Sequence, residues 1–168
     1  MDDRTKALLD KCECMSLLCS KATGYWSFIK FIFQIPLILT SSVMCILNSF
    51  DKEGGSMKIP NVVVNGVSVL LLALQNNLKV AEKVELFKNL SNSYLLLAHS
   101  LEAIEPDSIT REIVNNMIEK YDSLQQQVLF EDIPKKYKLE VIQVFKGRAV
   151  PIQLNGASGL TKLSAEIV

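Results

Sequence analysis

The chain has 168 residues, with 18 basic and 18 acidic side chains, so it holds one domain or one domain with a tail, and no basic excess points to nucleic acid. Apolar residues make up 49% and charged residues 21%, a mean over two unlike parts. Residues 31–78 carry almost all the hydrophobicity, and the remainder reads as an ordinary helical protein.

Met1-Asp2-Asp3-Arg4 lacks the basic start and immediate apolar run of a signal peptide, and neither end carries a lipidation motif. Any targeting is therefore expected from the first apolar segment. Residues 3–26 have helical spacing: Leu8, Cys12, Met15, Cys19, Ala22 and Trp26 alternate steps of four and three and fall on one stripe. Asp2 and Asp3 suit a helix N-terminus, and residues 1–25 are expected to form an amphipathic helix. Cys12, Cys14 and Cys19 give the spacing C-x-C-x4-C, which is not a zinc pattern; Cys45 and the single His99 lie far away in sequence. No metal or other cofactor is expected, and the thiols read as small reduced core residues.

Two stretches without a charged side chain follow, residues 31–50 and 59–78, separated by Asp51–Lys58. Twenty helical residues span roughly 30 Å, the thickness of a bilayer's hydrocarbon core. The pair predicts a transmembrane hairpin over 26–78, with spans at about 26–48 and 59–78 and a tight Gly54-Gly55 loop. Tyr25, Trp26, Lys30 and Lys79 are the candidate interface anchors. Pro36 predicts a kink, with Thr40, Ser41 and Ser42 placed to mend it. The second span is the less apolar, since Val62–Leu74 is interrupted by Asn65 and Ser68; a re-entrant hairpin and a soluble bundle are the alternatives. Lys11, Lys21, Lys30, Lys79, Lys83 and Lys88 flank the terminal side against Lys52 and Lys58 in the loop, which predicts an integral membrane protein with both termini in the cytosol or its equivalent.

Within the spans a polar stripe stands out. Gln34, Ser41 and Asn48 are seven apart; Asn61, Asn65, Ser68 and Gln75 step by four, three and seven. Folding at the loop centre sets Asn48 level with Asn61, Ser41 with Ser68, and Gln34 with Gln75. Such residues either hydrogen-bond across the hairpin or line a water-filled path in an oligomer.

After Leu78 nothing predicts a break before Pro106, so the second span is expected to run on as one long helix. Pro106-Asp107-Ser108 predicts a turn and an N-cap, followed by a helix over about Ile109–Phe130. These make 79–130 a helical hairpin, which packs with the N-terminal helix into a small cytosolic bundle. Lys135–Phe145 reads as either a helix or a strand. From Lys146 the chain loses helical period, and 131–168 is expected to end in an extended tail that lies on the chain's own surface or a partner's. Val150, Pro151, Ile152, Leu154, Leu160 and Leu163 are its candidate partner-binding residues. The predicted fold class is all-α.

The phosphate-loop, dinucleotide, zinc-protease and serine-nucleophile patterns are absent, so no catalytic residue is expected and a non-enzymatic role follows. The reading is a membrane-anchored structural or scaffolding component that links a bilayer to an adjacent protein layer of coat or capsid type. Its partners would be the bilayer, a protein held by the tail, and further copies of itself. The junction Leu70–Leu101 (LLLALQNNLKVAEKVELFKNLSNSYLLLAHSL), where a span ends in Leu74-Gln75 and Tyr94 follows about 20 residues on, resembles the SLATT domains over about residues 5–130. That resemblance implies the alternative function, an oligomeric pore-forming membrane effector activated through a partnered sensor.

Overall fold

A computed structural model describes residues 3–50, 58–104 and 110–154, and among these the chain is helical with no strand. The elements are α1 (Asp3–Phe50), α2 (Lys58–Asn77), α3 (Val80–Glu102), α4 (Arg111–Gln127), a single 3-10 turn (Phe130–Asp132) and α5 (Lys135–Val144). The Gly54-Gly55 loop, the Pro106-Asp107-Ser108 turn, Leu160, Leu163 and the side chain of Asn48 lie outside the described residues.

The structure defines helix continuity at two places. The N-terminal helix and the first span are one element: α1 passes through Gly24 and Pro36 without interruption. The expectation of one long helix after Leu78 is corrected: α2 and α3 are separate helices. The chain leaves α2 with Leu78 N–H on Leu74 O and Lys79 N–H on Asn76 O, and α3 restarts with Lys83 N–H on Lys79 O. Lys79 sits at φ 50°, a left-handed conformation that an L side chain resists. The physical reason is register. Along α2 the less exposed residues are Asn61, Val64, Ser68, Leu71 and Gln75, in steps of three and four. The next buried residue is Val80, fully buried and five positions on. An unbroken helix would turn Leu78 or Lys79 inward; the break brings Val80 in instead.

The chain forms two compact units, one of residues 1–23 with 85–168 and the other of residues 24–84. In the first, α1 contributes Leu8, Cys12, Met15, Leu18, Cys19 and Ala22 to a core that also holds Phe87, Leu90, Tyr94, Leu97, Ala98 and Leu101 of α3. Tyr121 of α4 meets Tyr94 edge-on, with ring centroids 5.7 Å apart. Helix α4 starts later than expected because Thr110 caps it, accepting from Ile113 N–H at 3.4 Å. It ends at Gln127, where Val128 turns extended and is buried. The ambiguous segment after Pro134 is helical, since Val141 and Phe145, four apart, are both buried.

In the second unit Trp26, Lys30, Phe33, Leu37, Thr40 and Met44 of α1 form a half-buried or buried stripe in steps of four and three, with Tyr25, Ser27, Ile29 and Gln34 also partly covered. Matching stripes at this spacing on two neighbouring helices are the signature of a left-handed seam. Helices α1 and α2–α3 each contain an 18-residue window long and apolar enough to cross a membrane, and none of either window is buried.

Candidate functional site

Large apolar side chains crowd the outward faces of α1 and α2. Phe28, Phe31, Ile38 and Leu39 on α1 and Val62, Val69 and Leu70 on α2 are all at least 59% exposed. Monomeric soluble proteins rarely show so much contiguous apolar surface, so these faces require a covering. Hydroxyls on this part of α1 satisfy themselves on their own helix. Thr40 Oγ1 donates to Pro36 O at 2.8 Å, Ser42 Oγ to Ile38 O at 2.8 Å and Ser49 Oγ to Cys45 O at 2.9 Å. This corrects the expected repair at Pro36. The carbonyl that proline leaves without its donor is that of Ile32, and none of these hydroxyls takes it.

The polar stripe is divided by the fold. On α2, Asn61, Ser68 and Gln75 lie on the half-buried seam, whereas Asn65 is exposed. On α1, Gln34 is half-buried beside the seam, but Ser41 is exposed and Thr40 takes the inward position. Large residues decide this rotation: Phe33, Leu37 and Met44 fill the seam, and Thr40 is the polar residue in phase with them. Among the described residues no side-chain hydrogen bond joins Gln34 to Gln75 or Ser41 to Ser68.

Two of the interface anchors, Tyr25 and Trp26, pack ring against ring. Trp26 is only 8% exposed, with Tyr25 edge-on at 5.4 Å and the Lys83 ammonium 4.3 Å from its centroid. A lysine over the indole face is an attractive electrostatic contact. Trp26 is therefore packed under Lys83 rather than presented outward, a contact that sequence spacing did not indicate. Lys30 is half-buried, and Lys79, exposed in the turn, pairs with Glu82 at 3.5 Å.

The start of the C-terminal segment is spent on the chain's own core. Gly147, at φ 85°, reverses the backbone after α5, a conformation that glycine adopts without strain. Arg148 then donates through Nε to Asp10 Oδ1 at 2.8 Å and bonds Glu13, while Ala149 N–H reaches Asp10 Oδ2 at 3.3 Å. Asp10 is 7% exposed, so this guanidinium answers a nearly buried carboxylate. Those carboxylates push the Arg148 guanidinium still further toward its charged form. Beyond it Pro151 and Leu154 are buried, which removes both from the candidate partner-binding set; Val150 is half-buried and Ile152 is 79% exposed. The sequence separation of more than 130 residues explains why no local pattern signals the Asp10–Arg148 contact.

A second tie holds α5 to α1. Lys21 Nζ lies 2.8 Å from Glu140 Oε2, and that hydrogen bond holds the Glu140 carboxyl below its ordinary range. The Cys12, Cys14 and Cys19 thiols are pushed up to about 12 by burial, which keeps them protonated and inert. Among the described residues no group of three acidic, histidine or cysteine side chains could hold a metal ion. A shallow groove of about 530 Å³ runs between α3 and α4, lined by Leu96, Leu97, Met117 and Leu124 with Ser93 and Lys120 at its rim. No protein-family model matches the chain, and no curated protein or solved structure is detectably similar to it.

Proposed function

We propose that residues 24–84 cross a bilayer twice and that the chain is a non-enzymatic membrane protein whose helical unit serves as a scaffold for an adjacent protein layer. The observation that carries the membrane part is that no residue of either apolar window is buried. The core helix of a soluble bundle would hide such a window, and hydrocarbon is the solvent that suits it. Two crossings put both ends of the chain on one side, and the lysine excess there makes that side cytosolic. The scaffold part is supported by exposed apolar side chains at and after the end of α5: Val144 is 65% and Ile152 is 79% exposed.

The pore reading keeps one specific support. Ser68 and Gln75 are half-buried on the seam without a side-chain hydrogen bond among the described residues, as residues facing water would be. One reconstitution tests both. The purified chain is expected to float with lipid vesicles, resist extraction at alkaline pH and leave a trapped dye inside. Ile152→Asp is expected to weaken recruitment of the partner layer without loosening the protein from the membrane. Recovery in the aqueous fraction would overturn the membrane reading, and dye release abolished by Ser68→Leu would replace the scaffold with a pore.

A further inference from the structure

Helix α2 carries a second stripe besides the one turned toward α1. Val62, Asn65, Val69, Leu72 and Asn76 are all exposed and step by three and four without a fault. At about 100° per residue this stripe lies roughly a quarter-turn around the helix from the Asn61–Gln75 seam. Asn65 stands in the interior of the span. Its carboxamide makes no side-chain hydrogen bond among the described residues, although it offers two donors and two acceptor sites. Thr40 and Ser42 of α1 close their needs on carbonyls four residues back; the Asn65 carboxamide makes no comparable bond. In hydrocarbon an unpaired amide is costly, and lipid tails supply neither donor nor acceptor.

We infer that the Val62–Asn76 stripe of α2 is a self-association surface, on which Asn65 hydrogen-bonds to Asn65 of a second copy of this chain. The inference rests on the membrane reading above. Copies inserted with the same orientation meet in parallel, so around a two-fold axis each stripe residue faces its own counterpart. A carboxamide is self-complementary in that arrangement, giving one N–H to the partner's oxygen and receiving one in return. The flanking residues fit the same geometry. Val62 and Val69 alternate with Asn65 and Leu72, β-branched against unbranched, the alternation that favours parallel two-stranded seams. The outward face of α1 is a poorer partner: its Ser42 hydroxyl is already committed to Ile38 O.

The test uses the full chain in lipid vesicles, with flotation first establishing insertion. Dimerisation is read by energy transfer between labelled copies as the protein-to-lipid ratio varies. Asn65→Val is expected to weaken dimerisation about 3- to 20-fold, the range of interhelical hydrogen bonds in bilayers, and Ser42→Ala to leave it unchanged. In a Cys45→Ser background, Val69→Cys is expected to cross-link under oxidation and Val67→Cys, on another face, is not. Failure to float overturns the membrane reading and this inference with it. Flotation with dimerisation that is indifferent to Asn65→Val, or with no association at any ratio, overturns this inference alone.

Discussion

Ser16 and Ser91 hold α1 and α3 together by a reciprocal exchange. Ser16 Oγ donates to the carbonyl of Ser91 at 3.0 Å, and Ser91 Oγ donates to the carbonyl of Ser16 at 2.9 Å. Each bond has its own donor and its own backbone acceptor, 75 residues apart in sequence. The short side chains also let the two backbones approach closely enough for the exchange.

Removing either hydroxyl is therefore expected to cost about 1 kcal/mol, the usual net value of one hydrogen bond, and removing both about 2 kcal/mol. Thermal unfolding of Ser16→Ala, Ser91→Ala and the double variant checks this. A double variant no worse than either single one would show that the bonds act as one unit. Ser16→Leu is expected to do more damage than Ser16→Ala, because it forces the helices apart.

The Lys21–Glu140 pair predicts a pH dependence whose sign follows from its direction. The Glu140 carboxyl is held low in the folded chain, so folding favours its ionised form. Its contribution is fully present above the unfolded carboxylate range and is lost as pH falls through the folded value. Stability of the native chain should decline on acidification below about pH 4.5. Lys21→Met should make that decline shallower, as should Glu140→Gln. Denaturant melts between neutral pH and pH 3 on all three chains measure the difference. Equal slopes would mean the pair contributes nothing.

At Lys79 the backbone works against its side chain. With φ at 50°, this residue is expected to be more stable as glycine, by about 1 kcal/mol. Lys79→Val should be destabilising, since a β-branched side chain resists that conformation more strongly. Deleting Lys79 should be worse than either, because it would carry Val80 out of its buried position. Unfolding in detergent micelles, followed by circular dichroism, ranks the three.

Local periodicity explains what could be read without coordinates. The stripe Leu8, Cys12, Met15, Cys19, Ala22 and Trp26 is buried at every position, because a helix converts spacing directly into a face. The length of the two uncharged stretches likewise follows from composition alone. Three features needed the tertiary structure. The break at Lys79 depends on which residue of the next helix must turn inward, and the Leu78–Lys79 sequence carries no proline or glycine to announce it. The choice of Thr40 over Ser41 depends on how Phe33, Leu37 and Met44 pack against a neighbouring helix. The docking of Arg148 on Asp10 joins residues 138 apart, and such a contact is decided by where two finished elements meet. Periodicity is a property of a few turns of chain; register breaks, helix rotation and long-range ion pairs are properties of what the chain folds against.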